Sequence, residues 1–122
     1  MGWMLYTRAQ APKVRVEFIL DVYDAAKPYF DCNLYQWYHI VATYDGTTRR
    51  FYVNGLLKAS SAHAAYTIPT TNLEFGRYGS KDGTRNLNGL IDEVRIYNEA
   101  LPQAEIQKHY VEGLKRYQLV QK

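Results

Sequence analysis

Residues 37–55, WYHIVATYDGTTRRFYVNG, constrain the fold more than any other stretch of the chain. Side chains alternate along Trp37 to Tyr44 and again along Arg49 to Val53, the period of strands whose successive side chains point to opposite faces. Asp45-Gly46-Thr47-Thr48 supplies the turn between them. Asn54-Gly55 supplies the next, a type I′ hairpin turn, because both of its central residues need positive φ. Leu56 to Ser60 continues the meander. Both faces of these strands carry aromatic or aliphatic groups, although a small sheet needs only one apolar face. The surplus face must be covered by a loop, by a helix or by something outside the chain.

Other segments repeat the strand signal. Lys13 to Leu20, KVRVEFIL, sets Val14, Val16, Phe18 and Leu20 against Arg15 and Glu17, which predicts a strand with one buried face. The following DVYDAAKPYFDCN holds Pro28 and reads equally as a short strand or a loop. Asn72 to Tyr78 reads as a strand with Leu73 and Phe75 on one side, and Leu87 to Tyr97, LNGLIDEVRIY, as a long one. After residue 98 the character changes. Pro102 suits a first helical turn, Glu105 suits its dipole, and Ile106, Tyr110, Leu114 and Tyr117 recur at helical spacing. The spacing predicts a helix over about 102–112, ended or loosened at Gly113. Short turn-punctuated strands followed by one helix predict an all-β protein, an antiparallel β-sandwich with a short C-terminal helix, in a single domain over 1–122.

A chain of 122 residues buries a core without metal or disulfide support. Cys32 stands alone, which excludes an internal disulfide and a Cys-based metal site. Lys13, Arg15, Arg49 and Arg50 are spread over separate segments and the net charge is only +3. No clustered basic stripe of the kind that binds nucleic acid results. The start shows no signal peptide, and nothing approaches the ~20 apolar residues of a membrane span.

Three motifs in this order resemble a known family: residues 37–55, LEFGRYG at 73–79, and LNGLIDEVRIYNEALPQAEIQKHY at 87–110. Together they are similar to the laminin-G-like, concanavalin A-like lectin/glucanase domains, in the branch common in bacterial and archaeal surface proteins. The resemblance is strongest over 35–110. It implies a jelly roll of two antiparallel sheets, glycan binding or adhesion, an extracellular or cell-surface location, and often a structural Ca²⁺. Family members carry further strands before the point where this chain starts. The resemblance therefore implies a truncated or divergent version, or a sheet edge completed by another chain, a homo-oligomer or an adjacent domain.

Asp92 lies mid-strand among Leu90, Val94 and Ile96, where a lone carboxylate is costly to bury. In the resembling family the aspartate of this Ile-Asp-Glu-Val motif helps hold Ca²⁺, a cation that takes six to eight hard oxygens. The other reading is that Asp92 accepts hydrogen bonds from loop amides and fixes the strand. Asp45 and Asp82 read as turn formers beside glycine.

Twelve tyrosines are many for this length. For a saccharide, Tyr44, Tyr52, Tyr66, Arg77, Tyr78 and Asn86 offer flat ring faces and planar hydrogen-bonding groups from strand ends and loops; the same tyrosines also suit half-buried sheet positions. The resemblance implies a core position for Trp37, which in that family anchors its strand under the opposite sheet; Trp3 is expected at the periphery.

Catalysis finds little footing. Asp92 and Glu93 are adjacent and point to opposite faces; the glucanases of the resembling superfamily set carboxylates at alternate positions of one strand, but between Glu17 and Asp21 Ile19 stands in place of the middle acid; Glu74 is solitary. His39, His63 and His109 fall on different elements, His39 as a packed strand histidine. The expected function is non-catalytic recognition of a carbohydrate or glycoprotein. The alternative is a structural module that self-associates or packs on a neighbouring domain without binding sugar.

Overall fold

The computed structural model describes residues 4–20, 27–64, 73–76 and 86–120. Six strands, β1 (Met4–Gln10), β2 (Lys13–Ile19), β3 (Tyr29–Cys32), β4 (Ile40–Tyr44), β5 (Thr48–Val53) and β6 (Leu56–Ala62), precede one helix, α1 (Gln103–Val120). The strands form two antiparallel sheets of three, ordered β1-β2-β3 and β4-β5-β6. A mostly β protein with a C-terminal helix is what the alternation predicts, and the arrangement fits a sandwich.

The core explains why the sheets come together. Val16 and Phe18 lie on one face of β2 with Val14, and on β3 Phe30 stands opposite Val16 and Cys32 opposite Val14. Phe51 and Val53 of β5 face the same cluster, which Leu20 completes, with Ile40, Ala42 and Tyr44 packed around it. Burial of such side chains stabilises by about 1.5–3 kcal/mol each, which a lone three-stranded sheet open to water does not obtain.

The surplus apolar face belongs to the second sheet, and α1 covers part of it. Tyr52 points away from Phe51 and Val53 yet is only 4% exposed. His39, on the same side of the sheet as Tyr52, meets the Tyr110 ring at 5.9 Å between centroids, and Ile106 is fully buried. The β5–β6 turn lies against the same helix. Asn54 (φ 52°) and Gly55 (φ 78°) both take positive φ, as a type I′ turn demands. The Asn54 N–H donates to the His39 carbonyl at 2.8 Å and its Oδ1 accepts from the His39 N–H at 3.0 Å. A Cβ on Gly55 would stand 3.3 Å from the Gln107 Cα and 3.3 Å from the Tyr110 ring.

Asp45 builds the β4–β5 turn. Its Oδ1 accepts from the Thr47 and Thr48 amides at 3.0 and 2.8 Å, and from the Thr47 hydroxyl at 2.9 Å. Its Oδ2 accepts from Arg50 at 2.6 Å. The Arg50 bond first, then the turn amides and hydroxyl, hold the Asp45 carboxyl well below the usual carboxylate range.

Several sequence expectations are corrected. Residues 4–10, not singled out from the sequence, form β1, joined to β2 through a turn with a cis Ala11–Pro12 bond. The segment with Pro28, left open between strand and loop, contains β3. Trp37 is 46% exposed instead of buried, because β4 begins only at Ile40. Residues 73–76 form no strand, and Leu73 and Phe75 are exposed. The long strand expected over 87–97 is absent as well. Asn86 makes an isolated bridge, the segment finds no ladder partner among the described residues, and Glu93 adopts φ 54°. The helix runs through Gly113 to Val120, since one interior glycine costs only about 1 kcal/mol. Trp3, Tyr66, Arg77, Tyr78 and Asp82 lie outside the described residues.

Two measurements check this account. In urea unfolding, Gly46→Ala loses about 1–2 kcal/mol because φ 97° is strained for alanine while open space surrounds it. Gly55→Ala loses more, about 2–4 kcal/mol, because the added methyl also presses on α1; equal losses contradict the helix docking. The second measurement follows melting temperature against pH for the wild type and Asp45→Asn. A carboxyl whose folded pKa is depressed contributes stability above its unfolded value near 4, and loses it as pH falls toward the folded value. The wild-type advantage at pH 7 therefore shrinks below about pH 4, and a constant gap down to pH 2 contradicts the ion pair.

Candidate functional site

The residues proposed from sequence for a ligand are not brought into one open site. The Tyr44 hydroxyl donates toward the carbonyl oxygens of Gly46 at 2.8 Å and Ala64 at 2.9 Å, so this tyrosine ties the β4–β5 turn to the end of β6. The His63 ring stands edge-on to it at 6.1 Å. Tyr52 is interior and offers no open ring face. Asn86 is exposed, beside the 2.8 Å bond from the Leu87 N–H to the Gly76 carbonyl. Tyr66, Arg77 and Tyr78 fall outside the described residues, so their relation to Asn86 is not described.

Asp92 is exposed, and its Oδ1 accepts the Glu93 N–H at 2.8 Å. Among the described residues no group of three or more His, Cys, Asp or Glu comes together. Glu17, considered for acid–base work, is buried on β2 and paired with Arg8 at 3.3 Å. His39 is half-buried; burial, then the charges of His109 and Arg95, push its pKa down. Burial pushes the Cys32 thiol up, away from the reactive thiolate.

Two surfaces stand out instead. The first is the segment after Asn86. Leu90 is 79% exposed, and Ile91, Val94, Ile96 and Tyr97 are exposed too, as are Val111 and Leu114 of α1. Two contacts fix this segment along the helix. Tyr97 stacks on His109 at 6.0 Å, and Glu93 bridges Arg95 (2.8 Å) and Arg116. Tyr97 thus lies by the middle of α1 and Glu93 nearer its end, so chain and helix run antiparallel. The hydrophobic period that predicts a strand here is real, but its strand partner is not among the described residues. Leu90, Ile91, Val94 and Ile96 face water.

The second surface is an open cleft of about 510 Å³ between β3 and β6, each the outer strand of its sheet among the described residues. Lys27 and Tyr29 line it from the first side, and Lys58, Ser60 and Ser61 from the second. Sequence reading singled out none of these residues. Their signal is tertiary, because two edge strands from different sheets create the gap. Tyr29 is 49% exposed, and the Arg15 guanidinium lies 3.9 Å from its ring centroid. Asp31 holds Arg15 through bonds of 2.7 and 3.0 Å, which raises the Arg15 pKa and lowers that of Asp31. Arg49, one of the cations spread over separate segments of the sequence, is fully buried with its Nε donating to Ser61 at 2.6 Å, and burial lowers its pKa.

Comparison with known proteins agrees with this fold. A family model described as the concanavalin A-like lectin/glucanases superfamily, of the laminin-G-like type, matches residues 2–107. The crystal structure of an S-layer domain-containing protein from Clostridium thermocellum is similar at TM-score 0.54 and 17% identity. The similarity covers 89% of this chain and 63% of that one, so the chain spans under two thirds of the structure it matches. No curated protein sequence matches the chain. The matching family model spans most of the polypeptide and agrees with the two-sheet core, and on that footing the chain belongs to the concanavalin A-like lectin/glucanases superfamily.

Proposed function

We propose that the domain is a non-catalytic packing module of an extracellular surface protein, and that it self-associates through the strip Leu90–Ile96. The carrying observation is that strip: Leu90, Ile91, Val94 and Ile96 stand exposed in seven consecutive residues without a ladder partner among the described residues. Contiguous exposed apolar groups rimmed by charge mark contact surfaces. A second copy is the occupant that suits the charges. Asp92 and Glu93 lie beside Arg95, with Arg116 alongside, so the strip carries both signs in a short length. A two-fold axis sets such a surface against itself with opposite charges facing. The extracellular setting draws support from the family and from the S-layer domain-containing protein of similar fold.

Glycan recognition, the other reading of this family, does not draw support from Tyr44 and Tyr52, which serve the fold. Nor does the strip show chemistry. Adjacent Asp92 and Glu93 do not present two carboxyls across a shared cleft in the way glycoside hydrolysis requires.

Light scattering on the wild type is expected to show a dimer or larger species at micromolar concentration. Val94→Lys with Ile96→Lys is expected to give a monomer with little change in melting temperature, because both side chains are exposed. A monomeric wild type overturns the proposal, and so does a double variant that still associates.

A further inference from the structure

We propose that α1 is held as an acid-released cover: protonation of His39 lifts the helix from the second sheet while the two-sheet core stays folded. This goes beyond the packing strip and does not depend on it.

The place of His39 is the first reason. It immediately precedes β4, and Asn54 of the β5–β6 turn fixes its backbone through bonds of 3.0 and 2.8 Å. Its ring lies against the Tyr110 ring of α1, 5.9 Å between centroids. The ring Nδ1 is buried there without a hydrogen-bond partner. A neutral imidazole carries an N–H on only one of its nitrogens, but an imidazolium carries one on both. Protonation therefore buries a charged N–H at Nδ1 with nothing to accept it, and such a group is costly.

The surrounding charges do not offset that cost. On α1, His109 is paired with Glu105 at 3.3 Å, and Glu105 also meets Lys108 at 3.6 Å. On the segment before the helix, Arg95 is paired with Glu93, which also binds Arg116. From the sheet and its turn come the uncharged Tyr52 and Asn54. Burial first, then the positive charges of His109 and Arg95, push the His39 pKa down while the helix is docked. A released His39 takes its proton at the ordinary value near 6.5. Below that pH the released form binds more protons than the docked form, so docking weakens as pH falls. The loss reaches about ten-fold per pH unit until the docked ring also titrates.

The helix is lightly held, so a change of that size matters. Ile106 is fully buried, whereas Gln107, Lys108, Val111 and Leu114 are exposed. The core cluster around Phe18 and Phe51 takes no residue from α1, and the helix can leave without dismantling it. Away from its packing surface a helix is marginal in water, because most helical stability in proteins comes from tertiary contacts. Release thus costs α1 its amide protection and uncovers Tyr52 and the sheet face around it.

Native-state hydrogen exchange on the whole chain, corrected for the intrinsic effect of pH on exchange, reads this opening directly. Between about pH 7 and about pH 5, ordinary carboxylates stay ionised and histidine titrates. Protection of the amides of residues 106–110 is expected to fall at least about ten-fold across that range, with amides of β2 and β5 better protected than α1 at each pH. His39→Phe keeps a flat ring against Tyr110 and carries no charge, and it should remove the fall. His39→Gln asks the same question if the phenylalanine variant does not fold.

The proposal is overturned if α1 protection in the wild type is independent of pH, or if the fall survives the replacement of His39. Equal protection of α1 and β5 at pH 5 also overturns it, since that means global unfolding instead of release. Exchange is read within one chain, so a monomeric wild type in light scattering contradicts the packing strip and leaves this test intact.

Discussion

Packing of β2 against β5 is the interaction on which the rest depends. Val16, Phe18 and Leu20 meet Phe51 and Val53 in one cluster, and each three-stranded sheet buries its apolar face only because the other is there. The second sheet has a further apolar face, and it draws the helix down. Tyr110 on His39, Gln107 against Gly55 and the buried Ile106 are the visible joints. The Asn54-Gly55 turn is therefore more than a connection. Its tight geometry lets α1 approach the sheet, and the Asn54 side chain fixes the start of β4.

That division shows which parts of the molecule were legible in the sequence. The hairpin was, because Asn-Gly has a local stereochemical reason, and the Asp45 turn was, because an aspartate beside glycine bonds its own backbone. The class followed from alternation and from the change of period after residue 98. What the sequence hid depends on partners. Alternation along 87–97 states that a strand is possible, while a strand exists only where a neighbour completes the ladder. Here Glu93 turns to Arg116 and Tyr97 to His109 instead. The family resemblance implied a core Trp37, yet β4 starts three residues later and Trp37 is exposed. The burial of Arg49 was not legible either, since it depends on a place opposite Ser61 on β6.

The candidate site was less legible for the same reason. Tyrosines were countable, but whether a ring faces water or core is set by strand parity and by what lies across. Tyr52 and Tyr44 ended inside the architecture, whereas Tyr29, unremarkable in sequence, ended half open at a sheet edge. Edge strands are where a sandwich has unsatisfied surface left over. The gap between β3 and β6 is one such place, and the apolar run beside α1, without a ladder partner among the described residues, is a leftover of another kind. A protein that works by contact can use them without any reacting group, which suits a family whose members share a scaffold more than a chemistry.

Native-state hydrogen exchange, followed residue by residue across a dilution series, addresses the central claim that the sheet pair is closed while residues 90–97 await a partner. Amides of β2 and β5 should exchange only through global unfolding at every concentration. Amides of residues 90–97 should exchange fast in dilute solution and become protected as concentration rises. Protection of that segment equal to β5 in dilute monomer would contradict the account, since it would mean the ladder is already complete within one chain.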